Sequence, residues 1–260
     1  MPTTREALGA AAASDGSAAG RSLALLSLLA SAGRPLSLAE LAARLVLPKA
    51  TAHRICEQLV DAGYLARDIR ERSFIAGPAL HRLAFDTLNC GVVRGLRHDV
   101  LAELVARIGE TCNFTTLDGT RVLYIDRVEA AWPLRLTLDV GSHVPLHCTA
   151  SGKLFLAAMP EDEREAVLSR LALPRMTAKT ITSAKALRAE CIQIAKAGYS
   201  CDRAEFIAGL IAVAVPVRDE EGTVRAAIAV HAPEARMSLR DAVGQLAAMQ
   251  AAAKRMQALV

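Results

Sequence analysis

Apolar residues recur at helical spacing from Ser22 onward, where Leu25, Leu26 and Leu29 make one stripe that Ser31–Pro35 breaks. A second run carries Leu38, Leu41 and Leu45 on one face. It opens with Ser37 and Glu40, the spacing at which a Ser oxygen and a Glu carboxylate satisfy free backbone donors at a helix start. After a turn at Val46-Leu47, Pro48 fits the first position of a third helix, because its missing N–H would be unpaired there anyway. That helix reaches about Val60 and buries Ala52, Ile55, Cys56 and Leu59. Asp61–Leu65 ends it, and a short strand, a charged turn at Asp68–Arg72 and a second strand at Ser73–Ala76 follow. Three short helices, a tight turn and a hairpin predict a winged helix-turn-helix, which sets its last helix in the DNA major groove.

Beyond Gly77-Pro78 a helical stretch runs to about Leu88. Helical periodicity then marks Gly95–Ile108, Thr149–Met159, Glu161–Leu171, Ser183–Ala197 and Leu239–Ala258. Strand patterns occupy Cys112–Leu117, Arg121–Val128, Leu134–Asp139, Leu210–Val217 and Val224–His231, with hairpin turns at Asp118-Gly119 and Glu221-Gly222. The class expected is α+β, a mostly antiparallel sheet flanked by helices. Residues 1–19 have almost no bulky apolar side chains to bury and read as a disordered leader. The division expected is therefore a leader (1–19), a winged helix-turn-helix (20–78), a connecting helix (79–92) and a second globular domain (93–260).

Composition narrows the partners. The chain of 260 residues is 52% hydrophobic and 22% charged, as a packed core requires, and only 3% aromatic, so that core is built from Leu, Ala, Val and Ile. A net charge of +4 permits a nucleic-acid partner without demanding one. No apolar run approaches the ~18 residues that span a bilayer, and no basic segment leads into an apolar stretch at the start. The six cysteines are scattered, with no C-x-x-C pair, which argues against a zinc cluster and a disulfide framework. The expectation is a cytoplasmic protein with no metal, no cofactor and no membrane partner.

Two places carry candidate chemistry. On the third helix, Lys49, Thr51, His53 and Arg54 lie in the first two turns, the part of a recognition helix that approaches phosphates and base edges. Arg67, Arg70 and Arg72 around the hairpin could add backbone contacts, each making binding more salt-sensitive. A bland alternative is an ordinary solvated helix face, and a winged helix that binds protein is another. Farther on, Thr149 reads as an N-cap, so that Ala150, Ser151 and Gly152 start a helix whose free N–H groups attract a carboxylate. An enzyme is disfavoured. Ser151-Gly-Lys153 lacks both the Gly and the Ser or Thr of a phosphate loop, and the adjacent His147 and Cys148 would point to opposite faces of a strand.

Leu38–Arg44, Leu47–Arg54 and Leu59–Leu65 together resemble the helix-turn-helix of IclR-type bacterial transcription regulators. Val122–Val128, Pro145–Lys153 and Gly209–Val217 resemble that family's effector domain, in the same order along about residues 21–258. The resemblance implies a homodimer or dimer of dimers on double-stranded operator DNA, controlled by a small-molecule effector, with repression or activation both open. It also places Ala150, Ser151, Asp202, Ala212, Ala229 and His231 at effector-contacting positions. With the free donors of the helix start, the effector expected is a small organic acid, aromatic ones included. His231 would then be charge-sensitive near neutral pH. On chemistry alone a lone His at a strand end is more often structural, and Asp202 could simply cap a turn. Two residues depart from the pattern: Ala50 stands where Ser is frequent, and Val46 where Gly is common in the turn.

Overall fold

The computed structural model describes residues 17–32, 34–68, 73–89, 91–132 and 138–260. The chain divides into two compact units, one ending at Leu88 and the other beginning at Asn89.

The first unit contains helices α1 (Ala18–Ala32), α2 (Leu38–Arg44), α3 (Lys49–Asp61) and α4 (Pro78–Asn89). Strands β1 (Leu36–Ser37), β2 (Leu65–Asp68) and β3 (Ser73–Ala76) form an antiparallel sheet in the order β1-β3-β2. The Leu stripes seen in the sequence meet here: Leu25, Leu29, Leu41, Leu45, Ile55 and Phe74 share one core. Ser37 caps α2 with the reciprocal Glu40 bond that the spacing predicts. Pro48 is the N-cap of α3, one place ahead of its expected position. The two-residue β1 has too little pattern to stand out in sequence.

Between α2 and α3 the chain turns through a left-handed residue. Leu47 N–H donates to the Ala42 carbonyl at 2.9 Å and Val46 N–H to that of Ala43 at 3.3 Å, the paired bonds of a Schellman helix end. The residue this motif puts at positive φ is Val46, at 54°. A β-branched side chain is strained there, and it gains nothing by packing because Val46 is 89% exposed. The expected glycine geometry is thus kept by a valine. Val46→Gly should raise stability by about 1 kcal/mol, read as a higher urea midpoint with an unaltered slope.

The second unit is one six-stranded antiparallel sheet in the order β6-β5-β4-β9-β8-β7. The strands are β4 (Thr111–Asp118), β5 (Arg121–Val128), β6 (His143–Pro145), β7 (Ser200–Arg203), β8 (Leu210–Arg218) and β9 (Val224–Pro233). Helices α5 (Gly91–Ile108), α6 (Ala150–Ala158), α7 (Glu161–Leu168), α8 (Ala184–Ala197), α9 (Leu239–Gly244) and α10 (Leu246–Met256) flank it. The α+β class and the four long strands match the sequence reading. The short edge strands β6 and β7 were not expected, and the single helix anticipated over Leu239–Ala258 is two, separated at Gln245. The leader through residue 16 lies outside the described residues, and so does residues 134–137 of the strand expected at Leu134–Asp139; Leu138 and Asp139 are not in a strand.

Helix α6 packs on one face of this sheet, where Val122, Tyr124, Ala212, Ala214, Ala227 and Ala229 meet Ala150, Leu154 and Phe155. The opposite face holds a buried charge pair, Arg97 of α5 and Asp126 of β5, with Arg97 Nε 3.5 Å from Asp126 Oδ2.

Candidate functional site

The first candidate is the polar side of α3. Lys49, His53 and Arg54 are exposed and Thr51 is partly so, while Ala52, Ile55 and Cys56 anchor the opposite side in the core. No acidic residue stands in the first turn of α3, and Pro48 offers its backbone donors no side-chain cap. Farther along, Glu57 takes the cations: Arg67 Nη2 bonds its carboxylate, and His53 Nε2 lies 3.7 Å from it. Arg67 also lies over the Phe74 ring, 5.8 Å from its centroid. This cation is therefore tied back to α3. Lys49 and Arg54 have no ion pair among the described residues. Arg70 and Arg72, the other two hairpin cations, lie outside the described residues.

The second candidate is built by strand register. Residues directly opposite in an antiparallel sheet share a face. Asp202 pairs with Ala212, Ala212 with His231, and His231 with Thr111. In the next row Ala214 pairs with Ala229, Ala229 with Asn113, and Asn113 with Arg127. The sheet thus brings together Asp202, Ala212, Ala229 and His231, on the face covered by α6, which begins with Ala150 and Ser151. The four alanines of this face lie under α6, small enough to let it approach closely.

The start of α6 has a specific construction. Thr149 Oγ1 accepts the Gly152 N–H at 3.1 Å and donates to the Pro145 carbonyl at 2.7 Å. Ala150 and Ser151 are buried, and their N–H groups have no acceptor among the described residues. Two buried donors at the positive end of a helix dipole are a place for an anion.

Electrostatics modify the sequence expectations. Burial pushes the Asp202 carboxyl up to about 7, the nearby Glu205 charge adding to the effect and the Glu205 N–H bond opposing it. One oxygen of Asp202 accepts from Glu205 N at 2.7 Å, so this residue does cap the turn that follows it. That turn is further held by the buried Lys153, which pairs with Glu205, and by Thr180 Oγ1 donating to the Glu205 carbonyl at 2.6 Å. His231 corrects the expectation of a neutral-range switch. Partial burial of its ring, and then the charge of Arg127, push its pKa down to about 3, so it stays neutral. The His147 ring lies 2.9 Å from the Pro174 carbonyl oxygen, and burial pushes the Cys148 thiol up to about 12, the reverse of an activated nucleophile.

Three residues that sequence reasoning did not single out also sit here: Tyr124, Asn113 and Arg127. Asn113 is fully buried, and its Oδ1 accepts from Arg127 Nη1 at 2.9 Å. Tyr124 feels the charges of both Arg127 and Asp202. Simple alternation would put Arg127 on the other face from Tyr124. A β-bulge prevents this: Thr115 pairs with Tyr124 but Phe114 with Asp126, leaving Ile125 as the extra residue.

Comparison with known proteins covers both units. Residues 18–68 match the profile of the IclR helix-turn-helix domain, and residues 88–258 that of the bacterial transcriptional regulator IclR C-terminal domain. The chain is 42% identical to the "Probable transcriptional regulator SauR" of Cupriavidus necator, over 92% of this chain and 95% of that protein. The crystal structure of the Thermotoga maritima IclR superposes with a TM-score of 0.62 at 26% identity, covering 91% of this chain and 96% of the other. An IclR homologue from Microbacterium hydrocarbonoxydans complexed with 4-hydroxybenzoate gives a TM-score of 0.58 at 26% identity, over 86% and 91% of the two chains.

Proposed function

The chain belongs to the IclR family of bacterial transcriptional regulators, and we propose that a small organic acid binding at the α6 start controls its grip on operator DNA. Membership makes it a DNA-binding regulator, with a helix-turn-helix followed by an effector-binding domain. The finer reading is ours. Lys49, Thr51, His53 and Arg54 of α3 contact the operator, joined by Arg70 and Arg72 from the hairpin. Ala150, Ser151, Asp202, Ala212, Ala229 and His231 contact the effector. Residues 79–92 connect the DNA-binding domain to the effector domain. The protein works in the cytoplasm as a homodimer or dimer of dimers and catalyses no reaction.

One observation carries this reading: the buried, unaccepted N–H groups of Ala150 and Ser151, on a sheet face floored by alanine. A carboxylate satisfies such donors, and the relative that holds 4-hydroxybenzoate supplies a precedent for an acid ligand. The effector acts by population shift. It changes operator affinity only if it binds the two arrangements of the protein unequally; tight but equal binding does nothing.

The test is fluorescence anisotropy of DNA fragments from the protein's own upstream region, over a range of salt and with a panel of organic acids. Affinity should fall steeply with salt, each neutralised phosphate adding roughly −0.9 to the logarithmic slope. At least one acid should shift the operator affinity. A fragment bound with no salt dependence, or no response to any acid, would contradict the reading.

The Asp202 carboxyl adds a pH signature. Its pKa in the folded protein, about 7, lies above the ordinary carboxyl value of 3.8, so the neutral form is the one the fold favours. Its contribution to stability is complete below pH 3.8 and is lost as pH rises through 7. Ionisation also puts a negative charge near Cys148, two residues before the helix start. Acid affinity should therefore decline between pH 6 and 8 by calorimetry, a range in which His231 does not titrate. Asp202→Asn should flatten the profile.

A further inference from the structure

We propose that Asn113 and Arg127 form a second acidic-group subsite beside the α6 start, so that the effector is a compact dianion rather than a simple monoacid. The inference rests on the acid-binding reading above and specifies the class of acid.

Asn113 carries the argument. It is fully buried in the middle of the sheet, and its amide orientation is fixed because Oδ1 accepts the Arg127 Nη1 bond. The NH2 end is thereby the one left over, and it has no hydrogen-bond partner among the described residues. A buried donor without an acceptor costs about 1–3 kcal/mol, and a bound acceptor recovers that. Behind it stands a cation: the Arg127 side chain is only 8% exposed, bonded through Nε to Glu129 Oε1 at 3.2 Å as well as to Asn113. Asn113 alone would suit any neutral acceptor. The guanidinium bond to Oδ1 polarises the amide, which makes the NH2 a stronger donor to a carboxylate than to a neutral acceptor.

Placement links this pair to the helix start. Asn113 is directly paired with Ala229, and Ala229 packs in the same cluster as Ala150. Asn113 therefore lies on the sheet face that α6 covers, in the row of Ala229. Tyr124 lies on the same face, and its hydroxyl feels the charges of both Arg127 and Asp202. The two donor sets, the α6 amides and the Asn113 NH2, are both buried and both lack acceptors among the described residues. One short molecule with an acid at each end satisfies both.

Calorimetric titration of the full chain should compare malonate, succinate, glutarate and terephthalate with propionate, butyrate, valerate and 4-methylbenzoate, the monoacids matched to them in carbon skeleton. At least one diacid should bind about tenfold tighter than its partner. Arg127→Gln should remove the preference while keeping monoacid affinity. Asn113→Asp puts a carboxylate in the subsite and should reverse the preference; a thermal transition close to that of the unmodified protein shows that each variant folds. Diacids no tighter than their partners, or a preference untouched by Asn113→Asp, would overturn the inference while leaving acid binding intact. Absence of binding by every acid overturns the underlying reading with it.

Discussion

Replacing Asp126 with alanine should lower the unfolding free energy of the second unit by about 3–5 kcal/mol, the usual loss when one partner of a buried ion pair is removed. Arg97 is wholly buried and Asp126 is 1% exposed. The Arg97 guanidinium lies over the Phe114 ring, 5.0 Å from its centroid, and apart from Asp126 its nitrogens find no hydrogen-bond partner among the described residues. Burial pulls its pKa below the ordinary arginine value, and the Asp126 charge is what opposes that pull. Asp126 has further duties, since Oδ1 accepts the Arg127 N–H at 2.8 Å and lies 3.1 Å from His98 Nδ1. Alanine leaves the cation buried with no counter-charge. Arg97→Met added to Asp126→Ala should recover most of the loss, because an apolar side chain of similar length needs no partner there. Urea unfolding of the three variants checks both statements; a loss under 1 kcal/mol for Asp126→Ala would show that Arg97 reaches water.

The second large effect is expected at Gly152. A Cβ at this position would stand 2.3 Å from the Leu146 carbonyl oxygen and 2.6 Å from Thr149 Oγ1. The first contact is with backbone, which cannot swing aside. Gly152→Ala must therefore push the first turn of α6 away from the Leu146–Thr149 segment, at a cost of about 1–3 kcal/mol. The same shift breaks the bond from Gly152 N–H to Thr149 and misaims the Ala150 and Ser151 amides. Acid affinity should fall by more than tenfold while operator binding without acid stays within a factor of two. Acid affinity equal to that of the unmodified protein would show that the α6 start is not the site.

Much of the architecture was legible because it rests on local rules. The Ser37–Glu40 cap, the buried stripe of α3, the four long strands and the Thr149 cap all follow from spacing and residue type. What escaped had non-local causes. The bulge in β5 exchanges faces within a single strand, so Tyr124 and Arg127 share a face that strict alternation denies them, and Asp126 turns to meet Arg97. No residue type in Val122–Val128 announces that extra residue. His231 was misjudged because its pKa depends on burial and on Arg127, which only the β4–β5 pairing brings near. The ties of Arg67 to Glu57 and Phe74 escape the sequence because the pairing of β2 with β3 is not a property of either segment alone. Val46 shows the converse: the backbone motif of the turn persists although the residue best suited to it is absent.

The account stands on α3 reading DNA while a separate part of the chain senses the acid. Operator affinity and acid affinity measured side by side for Arg54→Ala test this most directly. Arg54 is exposed in the second turn of α3, so its loss should leave the fold unchanged. Operator binding should weaken about 10- to 100-fold, the equivalent of roughly 1–3 kcal/mol for one well-placed arginine, with acid affinity unaltered. Unchanged operator binding, or a parallel fall in both affinities, would contradict the claim.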